Sequence, residues 1–489
     1  MPLNEICDRP AVEQAALLRN REISAVELLD LHLERIAAVN GVVNAVVTLV
    51  PDDARARARE ADRRLAAGEP VGPLHGLPVA CKDTHDTAGI RTTFGSRALA
   101  DNVPEADELI IERIRGAGAV VFGKTNVPEF AAGSHTFNDV FGVTRNPYDP
   151  NRSAGGSSGG AAAALAAGMT SVADGSDMGG SLRNPASFCN VVGLRPSPGR
   201  VPSWPTAVPW ATMGVQGPMG RTVADTALLL SAIAGPDPRS PIAIDGDPSV
   251  FARPLATDLT GMRIAWSPDL GGAVPVDGAV RDALAPQIPV FEQLGATIQE
   301  ASPDFGGAEE VFRTLRAWQF HRMLGEVVER SPELFKDSLK WNIDVGRALS
   351  GPDVSRAEQL HGRLFERVRR FFERYDALLL PTVQVLPFPA EQEFPVEIDG
   401  VRQETYLDWM RSVYFVSATG CPALSVPAAF SPEGLPVGLQ IVTAHRAELT
   451  ALDVGHAFEQ ATRVGDRRPD LVALGLEAPD VSRLPRSPE

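Results

Sequence analysis

The sequence has 489 residues, of which 44% are hydrophobic and 22% are charged, as is ordinary for a globular protein with a large buried core. The formal net charge of −16 argues against nucleic acids and anionic membranes as main partners. The four cysteines form no CxxC pair, the N-terminus lacks the features of a signal peptide, and no window approaches the roughly 18 apolar residues that span a bilayer. We therefore expect a cytoplasmic protein.

Predicted helices and strands alternate along the chain. Helical spacing of apolar residues predicts helices at 12–39, 109–114, 280–294 with an interruption near Pro286, 360–371 and 448–461. Short apolar runs are typical of buried strands, and they occur at 77–81, 119–122, 191–194, 262–266, 377–380, 423–426 and 437–442. This alternation predicts a β-sheet covered by helices.

A glycine- and serine-rich stretch, Gly155-Gly-Ser-Ser-Gly-Gly160, precedes an alanine-rich run at 161–167. Glycine permits backbone conformations that other residues resist, and a serine of this stretch is placed to cap a helix formed by the alanine run. The start of such a helix favours a negative group nearby. A flexible Gly/Ser loop is the alternative. We favour the capped helix, since linkers are rarely joined directly to a fully apolar helix.

A second stretch, Asp177-Met-Gly-Gly-Ser-Leu-Arg183, places two glycines directly before a serine. Consecutive glycines let several backbone amides converge on one point, which is the geometry of an oxyanion hole. Ser181 ends this run and is the natural nucleophile. A tight turn with a capping serine is the alternative interpretation of the same residues.

Lys82 ends an apolar run and is one of four lysines in a chain whose other 42 basic residues are arginine. A serine hydroxyl is a weak nucleophile that needs a base, and a desolvated lysine has a lowered pKa that suits this task. Arginine cannot do the same, because it does not lose its proton near neutral pH. The alternative is a buried lysine–carboxylate pair, with Asp83 or Asp177 as the acidic partner.

Together these three segments resemble the amidase signature family. The similarity is strongest from Gly155 to Arg195, and it extends over nearly the whole chain with its weakest part in the middle. The separations of 75 residues between Lys82 and Ser157 and of 24 between Ser157 and Ser181 agree with the family. Several ordered motifs at matching distances make this resemblance specific.

The resemblance implies a Ser–cis-Ser–Lys triad. Ser181 is expected to attack the substrate carbonyl, Ser157 to relay the proton, and Lys82 to act as the base in its neutral form. The family also implies a cis peptide bond between Gly156 and Ser157.

The resemblance further implies roles for the residues around the triad. The backbone amides of Met178, Gly179, Gly180 and Ser181 are expected to hold the oxyanion. A supporting role is expected for Ser158, Ser176 and Asp177, and Arg183 is expected to be a structural anchor.

The implied fold is α/β, with one large domain in which a central mixed, twisted β-sheet is covered by helices on both faces. Within this domain we expect an N-terminal helical segment at 1–70 and a core that carries the triad at 71–235. A variable helical region at 236–376 is expected to line the substrate pocket, and residues 377–489 are expected to complete the sheet.

Three other functions are compatible with parts of the sequence. The transamidase subunit of a tRNA-dependent amidotransferase has a similar sequence, but the loop at 204–213 lacks the motif that we associate with that protein. Gly155-x-Ser157-x-Gly159 also fits the nucleophile elbow of α/β-hydrolases, with His445 as base. That elbow follows a strand directly, whereas a polar turn precedes it here. A non-catalytic binding protein is disfavoured because all three triad positions are filled.

The resemblance implies a small-molecule amide as substrate, with carbamates and esters as further options. We expect an apolar or aryl/alkyl group to lie in a pocket formed by the loops at 130–137 and 204–213 and by the middle region. The scattered histidines and the lack of a GxGxxG motif after a strand predict neither a metal nor a cofactor. A homodimer is one option for the assembly. The candidate substrate contacts are Gly133, Ser134, Phe137 and Trp210.

Overall fold

The computed structural model describes residues 3–475, and this part of the chain forms 14 α-helices and 17 β-strands. The helices are α1 (Ala11–Arg19), α2 (Ala25–Val43), α3 (Pro51–Ala66), α4 (Leu109–Gly116), α5 (Gly159–Ala166), α6 (Arg183–Phe188), α7 (Val223–Ile233), α8 (Gly278–Leu284), α9 (Ile288–Gln293), α10 (Ala308–Arg330), α11 (Asp337–Ala348), α12 (Gly351–Phe371), α13 (Arg411–Ser417) and α14 (Glu448–Thr462).

The strands range from two to eight residues in length. They are β1 (Val46–Leu49), β2 (Pro78–Lys82), β3 (Val120–Thr125), β4 (Phe137–Asn138), β5 (Gly142–Val143), β6 (Arg145–Asn146), β7 (Asp149–Ser153), β8 (Ala173–Asp177), β9 (Val192–Arg195), β10 (Val215–Gly220), β11 (Arg263–Trp266), β12 (Thr297–Glu300), β13 (Ala377–Pro381), β14 (Glu397–Ile398), β15 (Val401–Arg402), β16 (Ala423–Phe430) and β17 (Pro436–Thr443).

The main sheet of the described region has eight strands in the order β12-β11-β13-β17-β16-β9-β10-β8. Strand β11 pairs in parallel with β12 and β13, and the other neighbours are antiparallel, so the sheet is mixed. A second sheet has the order β1-β3-β2. A parallel bridge between Val79 of β2 and Val172, just before β8, connects the two. This bridge brings the end of β2 next to β8, which is where the catalytic candidates meet.

Every residue of β13 and β17 is buried, and so are all but the last of β16. Successive side chains of a strand point to opposite faces, so both faces of these central strands are covered. The α/β prediction of a single domain with a mixed sheet flanked by helices is confirmed. Within residues 3–475 no helix combines the length and the apolar character that crossing a membrane requires.

The predicted apolar strands are found as β2, β3, β9, β11, β13, β16 and β17. The predicted helix at 12–39 is instead two helices. Asn20 ends α1, and Ser24 begins α2 with a capping box in which its hydroxyl and the carboxylate of Glu27 satisfy backbone amides reciprocally. The interruption near Pro286 is confirmed, since a short 3₁₀ turn separates α8 from α9.

Two segments with a helical prediction also contribute strands. Strand β1 lies within the segment 1–70 and pairs with β3, and strands β11 and β12 of the middle region form one edge of the main sheet. Strand β12 has three exposed residues out of four, so it lacks the apolar run by which buried strands are recognised. The middle region therefore belongs to the sheet as well as to its helical cover.

Candidate active site

Lys82 ends strand β2, and its ammonium group lies among three serine hydroxyls. Its Nζ donates hydrogen bonds to the Oγ atoms of Ser157 and Ser158, both at 2.9 Å, and of Ser176 at 3.0 Å. The lysine side chain is fully buried. Strand β2, the loop before α5 and strand β8 therefore each bring a catalytic or supporting candidate to one point.

The surroundings of Lys82 favour its neutral form. Burial lowers the pKa of Lys82 to about 7, although the charges of Asp174 and Asp177 act in the opposite direction. In the described part of the chain no carboxylate oxygen lies within 4.0 Å of its Nζ. The Asp83 carboxylate instead accepts hydrogen bonds from the amide and hydroxyl of Thr93. Lys82 therefore does not form the lysine–carboxylate pair that was the alternative prediction.

The loop before α5 places Ser157 beside Lys82. The peptide bond between Gly156 and Ser157 is cis, as the family resemblance implies. Ser134 Oγ donates to the Gly156 carbonyl at 2.6 Å, and this hydrogen bond anchors the loop. The predicted serine cap is wrong: Ser158 is at the N-cap position, but its hydroxyl accepts from Lys82 and makes no cap hydrogen bond.

Ser181 lies in the turn that joins β8 to α6, and 9% of its surface remains exposed. Its carbonyl accepts a hydrogen bond of 3.1 Å from the Ser158 amide, which ties this turn to the loop before α5. Gly180 has a φ of 100°, and a Cβ atom there would overlap the side chain of Val413. A side chain at Gly180 would therefore be strained both by its backbone conformation and by the contact with α13.

One of the four amides predicted for the oxyanion hole has another partner. The Gly180 amide donates to Oδ1 of Asp177 at 2.9 Å, and the Leu182 amide donates to Oδ2 at 3.1 Å. The Asp177 carboxylate thus stabilises the turn through its backbone. The prediction for Gly180 is corrected accordingly, because an amide that is already paired is not free to bind an oxyanion. The donors that we retain for this role are the amides of Met178, Gly179 and Ser181.

The Asp177 carboxylate is held between two buried guanidinium groups. Arg183 donates to it through Nε at 3.0 Å and Nη2 at 2.8 Å, and Arg195 Nη1 lies 3.4 Å from it. Burial alone would raise the pKa of Asp177, but the two arginines keep it well below its ordinary value. Arg183 also donates to the Val413 carbonyl and to Gln440. These contacts join the turn of Ser181 to α13 and β17, as expected of an anchor.

We expect Asp177→Asn to lower the free energy of unfolding by about 3–5 kcal/mol, because two buried guanidinium groups would lose their counter-charge. Urea denaturation measures this loss. The matched control is Asp53→Asn, which breaks an exposed ion pair with Arg57 on α3 and should have a much smaller effect. Equal losses for the two variants would contradict the structural role of Asp177.

Asp174 and His85 form a second buried pair behind Lys82. The Asp174 carboxylate accepts from the Lys82 backbone amide at 3.2 Å and lies 2.5 Å from Nδ1 of His85. Both side chains are buried. Sequence reasoning missed this pair, and its only sequence signal is a carboxylate at the start of the short strand β8. The pair positions the backbone of β2 at the point where Lys82 leaves it.

A cavity of about 280 Å³ opens onto Ser181. Ser157 and Ser176 share its wall with Ser181, so the nucleophile and relay candidates face the same space. Much of the remaining wall comes from three segments, namely residues 130–133, the loop at 203–211 and helix α10. These segments contribute Phe130, Ala131, Gly133, Ser203, Pro205, Thr206, Val208, Pro209, Ala211, Phe312, Arg316, Gln319, Phe320 and Met323.

The four predicted substrate contacts have different positions. Gly133 lines the cavity. Ser134 is buried behind the wall, where its hydroxyl binds the Gly156 carbonyl. Phe137 packs against His135 and does not line the cavity. Trp210 is 73% exposed, because its neighbours in the loop face the cavity and its own ring faces solvent. The aromatic wall is formed instead by Phe130, Phe312 and Phe320.

Helix α10 supplies cavity residues that sequence reasoning did not identify. Phe312, Arg316 and Phe320 follow one another at four-residue spacing and therefore share one face of the helix. Glu108 and Gln216 also line the cavity, and the Gln216 side-chain amide donates to the Glu108 carboxylate. The periodicity of α10 is the one signal in the sequence, but it does not tell which face borders a site.

The family model described as Amidase matches residues 27–452, which is most of the chain. The chain belongs to the amidase signature family. It is 36% identical over 472 residues to an acylamidase of Rhodococcus erythropolis, and the match covers 94% of this chain and 96% of that protein.

Two further similarities extend this result. One subunit of the glutamyl-tRNA(Gln) amidotransferase of Thermosynechococcus vestitus is 36% identical over 479 residues, which cover 93% of this chain and 98% of that protein. The solved structure of a bacterial aryl acylamidase of the amidase signature family superimposes with a TM-score of 0.86 at 30% identity, covering 94% of this chain and 99% of that one. Our chain is accordingly an amide-hydrolysing enzyme. No group of three or more metal-ligating side chains is found within residues 3–475.

We expect the kcat/KM of this amidase to rise with pH through an ionisation near 7. Lys82, as the candidate base, must be neutral to accept a proton, and burial lowers its pKa from the ordinary 10.5 to about 7. We expect this ionisation to belong to the coupled unit of Lys82 with the candidate serines Ser157 and Ser181, so it is measured as the pH dependence of kcat/KM with a neutral amide. A rate that still rises steeply above about pH 9 would show a base with the pKa of an exposed lysine.

Proposed function

We propose that this chain hydrolyses the carbon–nitrogen bond of a small amide through a covalent intermediate on Ser181. In the first step the Ser181 Oγ attacks the substrate carbonyl carbon, and its proton passes through the Ser157 hydroxyl to Nζ of Lys82. The resulting oxyanion is held by the amides of Met178, Gly179 and Ser181. The Lys82 ammonium then returns the proton through Ser157 to the leaving nitrogen, and the C–N bond breaks.

Deacylation repeats these proton transfers with water. A water molecule that enters after the amine has left attacks the ester carbonyl and gives its proton to the same relay. The ester bond to Ser181 Oγ then breaks, and Ser181 recovers its proton. The products are the carboxylic acid and the amine, and the protein returns to its starting state without a metal or cofactor.

The observation that carries this proposal is the contact between Lys82 and Ser157 at the cavity that holds Ser181. A lysine with a pKa near 7 is half neutral at physiological pH, so it can accept a proton and later return it. Its 2.9 Å hydrogen bond to Ser157 places the relay hydroxyl in range. Ser158 and Ser176 accept further hydrogen bonds from Nζ and keep it oriented towards the relay.

The cavity supports a small substrate with a largely apolar body. Its volume of about 280 Å³ is at the lower end for sites that bind small molecules. Phe130, Phe312, Phe320 and Val208 provide apolar walls suited to an aryl or alkyl group. We therefore infer aryl or alkyl amides as the main substrates, with carbamates and esters as side activities, since both present a similar carbonyl to Ser181.

The transamidase subunit of an amidotransferase is the second candidate function. The amidotransferase subunit from Thermosynechococcus vestitus is as similar in sequence as the acylamidase, at 36% identity. We favour a free amidase, and we place it in the cytoplasm, where the four buried, free cysteines stay reduced. We propose that it acts without a different partner protein, as a monomer or a homodimer.

The deciding experiment uses the purified chain alone with a panel of aryl and alkyl amides, carbamates, esters and glutamine. A free amidase should hydrolyse at least one simple amide, and hydroxylamine should divert the acyl group to a hydroxamate, which reports the covalent intermediate. If glutamine is the one substrate of the panel that is hydrolysed, and only after a partner protein is added, the transamidase function is favoured. Hydrolysis without hydroxamate formation at any hydroxylamine concentration would contradict the covalent route.

A further inference from the structure

The cavity wall carries one cationic side chain. Among the lining residues, all of which belong to the described part of the chain, the charged ones are Glu108, Asp177 and Arg316. Asp177 is neutralised by Arg183 and Arg195. Arg316 is therefore the one positive charge that an apolar cavity presents to its ligand.

The Arg316 guanidinium is buried without an acidic partner. Only 5% of the residue is exposed. Its Nη2 donates to the Tyr406 hydroxyl at 2.7 Å, and its Nη1 lies 3.9 Å from the Met178 sulfur. Within residues 3–475 no carboxylate oxygen comes within 4.0 Å of it. A buried charge without a counter-charge is unfavourable, and a guanidinium has five N–H donors, so this group is equipped for an anion that the chain itself does not supply.

The guanidinium is held in one orientation before any ligand arrives. It stacks over the ring of Phe320, one turn further along α10, with 4.0 Å between the Arg316 Cζ atom and the ring centroid. Tyr406 is fixed in turn, because its hydroxyl also accepts a hydrogen bond from Asn342. A planar guanidinium that is stacked and anchored in this way suits a carboxylate better than a flexible ammonium would.

A second cation, Lys336, lies behind the part of the wall that Gly133 forms. The Nζ atom of Lys336 lies 3.8 Å from the position of a Cβ atom at Gly133, which lines the cavity, and it donates to the Ala132 carbonyl. Burial lowers the pKa of Lys336 to about 8, the carboxylates of Glu393 and Glu129 raise it, and the charge of Arg316 lowers it further.

Met178 connects this positive region to the reacting centre. Its sulfur contacts Arg316, and its backbone amide is one of the oxyanion donors that we retain next to Ser181. Arg316 and Ser181 therefore line the same cavity, with Met178 in contact with Arg316 and near Ser181 in the chain. The rest of the wall is largely apolar, so the matching ligand has an apolar body with one negative end.

We propose that Arg316 binds a carboxylate carried by the substrate, so that the preferred substrates are small amides with an aryl or alkyl body and an anionic end. This inference rests on the proposed amide hydrolysis at Ser181 and names the substrate class of that site. The carboxylate belongs either to the leaving amine or to the acyl group. The two arrangements share the same recognition chemistry, and matched substrates distinguish them.

The test compares anionic amides with neutral counterparts of similar shape. For a carboxylate on the leaving group, para-acetamidobenzoate is paired with para-acetylacetanilide. For a carboxylate on the acyl group, the monoamide of adipic acid is paired with heptanamide. We expect the wild type to prefer the anionic member of at least one pair by about 10-fold or more in kcat/KM, because a hydrogen bond to a charged group contributes about 1.5–3 kcal/mol.

Variants on helix α10 then assign this preference. Arg316→Met should lower the ratio of anionic to neutral kcat/KM by about 10- to 100-fold, mainly through KM for the anionic member. Arg316→Lys keeps the charge and should retain part of the ratio. The matched control is Arg322→Met, which removes the same charge from an exposed position of the same helix outside the cavity and should leave the ratio unchanged.

A binding measurement makes the test independent of turnover. Calorimetric titration of para-acetamidobenzoate and the adipic acid monoamide into Ser181→Ala should give a Kd at least about 10-fold lower than into Ser181→Ala with Arg316→Met. If each ligand binds with the same Kd to Ser181→Ala and to Ser181→Ala with Arg316→Met, the assignment is overturned. It is also overturned if the wild type shows no preference for the anionic member, or if Arg316→Met slows both members of each pair equally. If the wild type cleaves neutral amides as well as anionic ones, the inference about Arg316 fails, and the proposed amide hydrolysis is not affected. If it cleaves no amide, the proposed function fails, and the titration still decides on Arg316.

Discussion

Ser181→Ala should lower kcat by at least about 10,000-fold and leave the folded structure intact. In the proposed mechanism Ser181 forms the acyl intermediate, and Ser157 cannot replace it because Ser157 is bound to Lys82 and serves as the relay. Loss of a nucleophilic serine typically abolishes nearly all the catalysis that its triad provides. The measurement is kcat with the best amide of the panel, together with hydroxamate formation, which should also vanish.

The control for this variant is Ser231→Ala on helix α7. Ser231 is a half-buried helical serine whose hydroxyl donates to the Leu228 carbonyl, and it does not line the cavity. Its removal should change kcat less than about twofold, as for most substitutions away from a site. A Ser181→Ala protein that keeps more than about 1% of the rate, beside an inactive Ser157→Ala, would transfer the nucleophilic role to Ser157.

Lys82→Met and Lys82→Arg should both lower kcat/KM by about 1,000-fold or more. Methionine keeps much of the length and the apolar stem of lysine, but it has no group that can accept the proton relayed by Ser157. Arginine keeps the charge but does not deprotonate near neutral pH. The loss should include the contribution of general base catalysis, because the nucleophile Ser181 is no longer activated. The measurements are kcat/KM over the pH range of the wild-type transition and the melting temperature of each variant.

The two substitutions separate a base from a structural charge. Lys82 is fully buried among three hydroxyls, so the bulk of arginine could prevent folding there, and Lys82→Met provides the folded comparison. Lys340→Met is the matched control, since Lys340 lies on helix α11 in an ion pair with the exposed Asp337. A folded Lys82→Arg protein with near-normal turnover would remove the general-base role from the proposal.

Most strands of the sheet interior could be predicted from the sequence, whereas the edge strand β12 could not. The interior strand β10 was also missed, because Gly217, Pro218 and Gly220 interrupt its apolar run although every residue of it is buried. Strands β13, β16 and β17 are buried on both faces, so their sequences are continuous apolar runs. Strand β12 lies at the edge, and three of its four residues are exposed, so it leaves no such run. Short edge strands are recognised by the partner that they pair with, and that partner lies far away in the sequence.

The candidate site shows the same division. Lys82 at the end of an apolar run and Ser181 after two glycines are local features, and a base and a nucleophile could be inferred from these residue types. The relay role of Ser157 was implied by the family resemblance. The hydrogen bonds from Lys82 to Ser158 and Ser176, and the pairing of the Gly180 amide with Asp177, depend on distances between separate segments. No local pattern contains those distances.

The apolar patterns of the sequence by themselves indicated a sheet covered by helices and the burial of Lys82, and the residue types indicated Ser181 and Lys82 as candidates. The family resemblance of its motifs added the complete triad and the single-domain α/β fold. The tertiary structure alone decided what borders the cavity. It turned Trp210 towards solvent although its loop neighbours face inward, and it brought Arg316 of α10 next to Met178. The physical reason is that periodicity reports whether a side chain is covered, whereas the packing of distant elements determines what covers it.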